Sequence, residues 1–284
     1  MKMQNEMVDR LAGAIPLRGS VRVYTGEPVP EEKLSDIREF IDGLAVPFEH
    51  NTRFDIFTAE LGRKLYNNGI NPPTNIAMLS QTDLVSVSKT GFVGELLLLH
   101  ATSLELSTCW FGHYKLSEVG RYVPGIATEE RIKESNLGYG YGKVVDVGER
   151  VICGTPVGYR DGEKKRLLDI VAGKISANRK PIEALLENPE LAPNIPDDIA
   201  SALDLARLAP SAGNMQMWRF GLKDDFKTVT VAKPVGYKHF KWEHPDVDIG
   251  ICAAHLWLGL LQKGYEPSVD VAMDEDRALW SFGV

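Results

Sequence analysis

Two short segments carry residue types at spacings that could do chemistry. Arg18-Gly19-Ser20-Val21-Arg22 lies near the start of the chain. In an extended backbone alternate residues share one side, so positions 18, 20 and 22 would bring together two guanidinium groups and a hydroxyl. Arginine offers a planar fork of donors matched to phosphate oxygens, and serine adds one more. A solvated edge strand with alternating polar residues would read the same way. The second segment is Ala209-Pro210-Ser211-Ala212-Gly213-Asn214-Met215-Gln216-Met217-Trp218, after an amphipathic run and before a strand-like one. Pro210 and Gly213 end the helix, and Ser211, Asn214 and Gln216 crowd the turn with hydroxyl and amide groups. Such a turn can address the edge of a planar heteroaromatic ring with several donors and acceptors at once. An ordinary helix-to-strand loop is the plainer reading.

Other polar clusters carry less. Gly138-Tyr139-Gly140-Tyr141-Gly142-Lys143 lacks the Ser or Thr that follows Lys in a phosphate loop, and it precedes strand-like KVVDV rather than a helix. It reads as a loop or hairpin beside a pocket. His239, His244, Asp246 and Asp248 match no zinc spacing, so no metal is expected. His100 and His255 fall in apolar helices and read as satisfied core histidines, and Cys109 and Cys252 as core residues.

The elements that must position these segments come in two similar sets. Val29-Pro30-Glu31-Glu32 opens an amphipathic run with Leu34, Ile37, Ile41 and Leu44 on one face; Ile195-Pro196-Asp197-Asp198 opens another with Ile199, Ala202, Leu203 and Ala206. Proline suits a helix start, and paired acids suit the positive end of the dipole. Pro47 and Pro210, just beyond these helices, lie 163 positions apart. Two long apolar helices, Gly91 to Leu106 and Gly250 to Tyr265, begin 159 positions apart and should bury each other. Strand candidates are Phe54 to Phe57, Asn75 to Leu79, Val151 to Cys153, Trp218 to Leu222 and Thr228 to Ala232. Interspersed helices and strands give an α+β or mixed α/β class, of which α+β is expected here. A polar connector from Gly158 to Asn194, with helix-like LLDIVAGKI and PIEALL, joins the halves, placing the division between 1–188 and 189–284.

Composition bounds the function. The chain has 284 residues, 32 Lys and Arg against 39 Asp and Glu, and a net charge of −7, which disfavours a nucleic-acid-coating surface. The three cysteines, Cys109, Cys153 and Cys252, form no CxxC pair and fit a reducing compartment. The opening MKMQNEMVDR lacks the apolar stretch of a secretory signal, and no segment is expected to span a membrane, so a cytoplasmic location is expected.

The motifs together resemble the nitroreductase family of FMN-dependent oxidoreductases. The pieces are Arg18, Ser20 and Arg22; Ser107-Thr108-Cys109-Trp110-Phe111-Gly112; Arg179-Lys180-Pro181; Ala209 to Trp218; and Asp248 to Gly250. Their order is not that of a single family member, because the Pro-Ser-x-x-Asn turn follows the Arg-x-Pro. Family members are homodimers with each flavin at the interface, and this chain resembles two such subunits fused, as in the single-chain type that mimics the dimer. The first half reads Pro47-Phe48-Glu49-His50-Asn51 where the turn should carry serine, and the stretch 187–194 (ENPELAPN) before Ile195 has no arginine. One intact FMN site per chain is therefore implied, in a monomeric pseudo-dimer. By the resemblance, Arg18, Ser20, Arg22 and Arg179 hold the flavin phosphate. Pro210, Ser211, Asn214 and Gln216 form the turn at the ribityl chain and pyrimidine edge, and backbone amides near Phe111 and Gly112 face the reactive ring nitrogen. The flavin does the chemistry, so no catalytic side chain is required. NAD(P)H would supply hydride, and a nitroaromatic or quinone would accept the electrons. A non-catalytic flavin-binding module on the same fold is the alternative.

Overall fold

The computed structural model describes residues 3–66, 72–123, 149–162, 178–223, 225–239 and 242–284. Helix α1 spans Asn5–Ala14 and α2 spans Glu31–Asp42, the latter burying Ile37 and Phe40. Helix α3 runs Leu84–Ser103, its N-terminus capped by the Asp83 carboxylate, which accepts the Ser86 N–H at 2.9 Å. A single turn, α4, covers Leu116–Val119. Helix α5, Asp197–Ala206, buries Ile199, Ala202, Leu203 and Ala206, and α6 runs Asp246–Gln262. Both α2 and α5 follow a proline and carry two acids in their first turn, as their sequences dictate.

Each long helix is followed and preceded by strands in the same arrangement. Strands β1 (Arg53–Thr58), β2 (Thr74–Ser80), β3 (Ser107–Thr108) and β4 (Arg150–Gly158) form one antiparallel sheet in the order β1-β2-β4-β3. Strands β5 (Arg219–Lys223), β6 (Thr228–Ala232), β7 (Ser268–Asp274) and β8 (Arg277–Gly283) form a second in the order β5-β6-β8-β7. The repeat in sequence is thus a repeat in topology: helix, two strands, long helix, two strands. Strands β2 and β4 are buried along their whole length, whereas β8 alternates, sending Ala278, Trp280 and Phe282 inward.

Helices α3 and α6 pack against each other at two glycines. A Cβ on Gly91 would lie 2.1 Å from the Val247 carbonyl oxygen, and one on Gly250 would lie 1.8 Å from that of Ser88. Ser88 and Val247 are themselves 159 positions apart, so the two contacts are equivalent under the repeat. The expected mutual burial of the long helices is what the structure shows, and their near-complete apolar circumference follows from it. The chain then crosses between halves: Leu186 bridges Phe220 in parallel, with Phe220 N–H donating to the Leu185 carbonyl at 2.8 Å and Glu187 N–H to the Phe220 carbonyl at 2.9 Å. Segment 185–187 therefore extends the outer edge of the second sheet.

Several expectations change. The long helices begin earlier than read, at Leu84 and Asp246, and end earlier, at Ser103 and Gln262. PIEALL forms only a 3-10 turn at Ile182–Ala184 before that crossing segment. Strands β7 and β8 were not anticipated. Helix α3 is long and apolar enough to cross a membrane, against the expectation that no segment would be; most of it is buried inside the fold. The Gly138–Lys143 loop and the LLDIVAGKI stretch lie outside the described residues.

Candidate functional site

A cleft of about 360 Å³ opens between the halves. Ser20 and Arg22 line it from the start of the chain, Trp110, Phe111, Gly112 and His113 from the segment after β3, and Cys153 from β4. The second half contributes Pro210 to Gly213, His239, Trp242 and, from α6, Val247, Asp248 and Ile251. Aromatic rings form part of its walls beside several polar groups. Phe111 stacks on Tyr66 with centroids 4.6 Å apart, and Trp242 lies so close over Gly112 that a Cβ there would meet its ring at 1.9 Å. Glycine at 112 is what lets the indole form this wall. Volume, planar walls and a few convergent donors suit a flat heteroaromatic ligand with a charged tail.

Behind the cleft lies a buried ionic cluster. Glu95, fully buried in α3, accepts the Trp110 indole N–H at 2.6 Å on Oε2. Its Oε1 faces the Arg18 Nε at 3.4 Å and His255 Nε2 at 2.9 Å. Burial alone would push this carboxyl up, but the Arg18 charge and the bonds from His255 and Trp110 together hold it below the ordinary carboxylate value. The Arg18 side chain is 4% exposed, and its Nη1 is buried without a hydrogen-bond partner among the described residues. Beside it, Arg179 is pushed down to about 10 by burial, with Arg18 and Arg207 adding to the shift. Arg179 donates to Asn214 Oδ1 at 2.6 Å and to the Leu208 carbonyl at 2.9 Å.

The residues singled out from sequence therefore divide. Ser20, Arg22, Phe111, Gly112, Pro210 and Ser211 line one cleft. Arg18, Arg179, Asn214 and Gln216 do not line it but are linked beside it. Gln216 accepts the Lys180 N–H at 2.9 Å and donates to the Asn178 carbonyl at 3.0 Å, while Asn214 donates to the same carbonyl at 2.9 Å. The turn is thus clasped by residues 178–180. Phe111 N–H is committed to the Gly154 carbonyl at 2.9 Å, so of the two amides expected to face a ring nitrogen only that of Gly112 remains a candidate.

Sequence reasoning missed Glu95, Trp242 and the position of Asp248. A lone carboxylate inside the apolar run GFVGELLLLH was the signal for Glu95, because such a group stays in a core only when paired. Among the described residues no cluster of metal-ligating side chains exists; His239 and Asp248 line the cleft instead.

The family model described as "Putative TM nitroreductase" matches residues 10–260. The chain belongs to this nitroreductase family. The structure of a "putative nitroreductase" from Thermotoga maritima is 21% identical with a TM-score of 0.59, covering 96% of this chain and 92% of that one, which shows the shared fold. An FMN-dependent nitroreductase from Clostridium difficile is 22% identical, covering 56% of this family member and 92% of that chain, with a TM-score of 0.36. A Bacteroides fragilis nitroreductase with bound FMN is 18% identical over 55% and 91% of the two chains, with a TM-score of 0.37. Among curated proteins, nothing matches this member of the family.

Proposed function

We propose that this chain is an FMN-dependent oxidoreductase that takes hydride from NAD(P)H and passes it to an electron-poor small molecule of nitroaromatic or quinone type. The observation that carries the reading is the convergence, in one apolar cleft, of Ser20 and Arg22 from one half with Pro210 and Ser211 from the other. The donor set fits the cofactor: Arg22 and Ser20 open to the cleft, with Arg179 and an Arg18 Nη1 that has no hydrogen-bond partner among the described residues close beside it, give the positive charge and donors that a phosphate requires. When bound, FMN supplies hydride acceptance and donation. The chain's own residues bind and orient. Arg22 and Ser20, open to the cleft, bind the phosphate, with Arg18 and Arg179 adding positive charge from beside it; Ser211 addresses the polar ring edge, and Trp110, Phe111, Trp242 and Ile251 exclude water from the ring.

One such site per chain is expected. Under the repeat, Ser211 corresponds to Phe48 and Ile251 to Phe92. The Phe48 ring lies 5.0 Å from Phe92 and 5.2 Å from Trp280, filling the space that stays open in the other half. Lys89, the counterpart of Asp248, extends over the Phe48 ring at 5.4 Å. On this reading the chain acts as a monomeric pseudo-dimer, with halves 1–188 and 189–284, and works in the cytoplasm.

Purified protein should absorb near about 450 nm as flavoproteins do, and FMN should titrate to one equivalent per chain. Arg22→Ala should weaken FMN binding by about 1.5–3 kcal/mol, the range for a hydrogen bond to a charged group. NADH or NADPH should bleach the flavin anaerobically, and a nitroaromatic or quinone should restore it. Bound flavin that neither nucleotide reduces would replace the enzyme by a flavin-handling module.

A further inference from the structure

The reduction of a quinone or nitro group consumes protons as well as electrons, and an apolar cleft must provide them. Among the described lining residues Asp248 is the only carboxyl group. It stands in the first turn of α6, where its Oδ2 accepts the Ala212 N–H at 2.9 Å. That bond makes Oδ2 the carbonyl-like oxygen, so a proton on this group sits on Oδ1. We propose that Asp248 is the proton donor to the electron acceptor in this cleft; the inference rests on the function proposed above.

The proton balance is explicit. A quinone takes two electrons and one proton as hydride, and the second proton comes from Asp248 Oδ1 to the remaining oxygen. The product is the neutral hydroquinone, and the Asp248 carboxylate recovers its proton from water at the cleft mouth. The surroundings keep the acid protonated near neutrality. Burial pushes Asp248 up to about 7, the Ala212 N–H opposes this in part, and the charge of Asp246 on the same helix adds to it. Asp246 in turn faces Lys233 at 3.8 Å. From β4, Cys153 stays a thiol, raised by burial and by Asp248; Tyr237, whose pKa is also raised by burial and by Asp248, approaches from the loop after β6. Arg22, His113 and His239 are the remaining titratable groups along the described lining.

The internal repeat gives an independent argument. The position equivalent to Asp248 in the filled half is Lys89, whose Nζ donates to the Glu49 carbonyl at 2.7 Å. A carboxyl group stands where the cleft is open, and a lysine side chain where it is filled.

The test compares two oxidants on FMN-loaded protein reduced anaerobically with dithionite. Benzoquinone needs protons; ferricyanide takes electrons alone. In the wild type the ratio of quinone to ferricyanide reoxidation rates should fall as pH rises through about 7. In Asp248→Asn that ratio should drop about 10²-fold at pH 6, the scale of general acid catalysis, and lose its pH dependence. The absorbance of bound oxidised FMN should also titrate near neutrality in the wild type and not in the variant. An unchanged ratio in Asp248→Asn, or a pH dependence that survives there and disappears in His239→Gln, overturns the proposal while leaving the flavin reading intact. If the variant fails to fold, a wild-type ratio flat from pH 5 to 9 overturns it equally. A wild-type chain that binds no FMN, or whose flavin neither oxidant restores, removes the functional reading and this proposal together.

Discussion

Two carboxyl groups near the cleft, Glu95 and Asp248, are compensated to different degrees, and the difference sets how each responds to pH. Glu95 is compensated three times over, by Arg18, His255 and Trp110. At Asp248 burial is opposed by the Ala212 N–H and reinforced by the charge of Asp246, so the group is pushed up from 3.8 to about 7. The sign follows from proton counting. Below about pH 4 the group is protonated folded and unfolded, and contributes nothing to the pH dependence. Between there and about 7 the unfolded chain releases the proton and the folded chain keeps it, so stability declines as pH rises. Urea unfolding of the flavin-free protein at intervals from pH 4 to 7 should show this decline, and Asp248→Asn should flatten it; parallel curves for the two proteins would remove the burial argument. The Arg18, Ser20 and Arg22 pattern was legible as a donor set, but period-two alternation could not show that Arg18 turns inward to Glu95. That needed the partner, which is 77 positions away in sequence.

Helices were more legible than strands because their signals are local. Proline and two acids announce α2 and α5, and the apolar runs announce α3 and α6. The β7–β8 hairpin was hidden because its turn, Glu275-Asp276, lacks the glycine or asparagine that advertises such a connection; Glu275 adopts the required positive φ of 54° anyway. Strand β3, two residues long, offers no period to detect. The glycines of the helix crossing were visible as the anchor of the repeat, yet their purpose appears only where α3 and α6 touch. Gly250→Ala would place a methyl 1.8 Å from the Ser88 oxygen and 2.8 Å from its carbonyl carbon, both backbone atoms that cannot rotate away. The helices must separate, at a cost of about 3 kcal/mol, and Gly91→Ala should behave alike. Gly13→Ala is the control, since a Cβ there meets nothing within 4 Å and should cause no loss. Thermal unfolding of the three variants decides this: equal midpoints for Gly250→Ala and Gly13→Ala would mean that the crossing is not close-packed.

At the scale of the whole molecule the duplication was readable and its asymmetry only half so. Loss of the serine at position 48 was plain in the sequence, but not that the replacing phenylalanine would pack into the vacated position against Phe92 and Trp280. Nor could sequence show that residues 178–180 would clasp the turn of the other half, or that 185–187 would pair with β5. These links give the open cleft a wall from each half, while the mate position keeps its aromatic filling. Phe48 is half-buried, so Phe48→Ser should cost less than the ~3–5 kcal/mol of a fully buried Phe→Ala. It should not create a second flavin site. Serine at 48 restores one hydroxyl, but Lys89 still stands where the open half has Asp248, and Phe92 and Trp280 still occupy the region that Ile251 leaves free. FMN titration of Phe48→Ser should therefore end at one equivalent per chain with lowered thermal stability. A second equivalent would mean that a single side chain, rather than the accumulated substitutions of a whole half, keeps the two sites unequal.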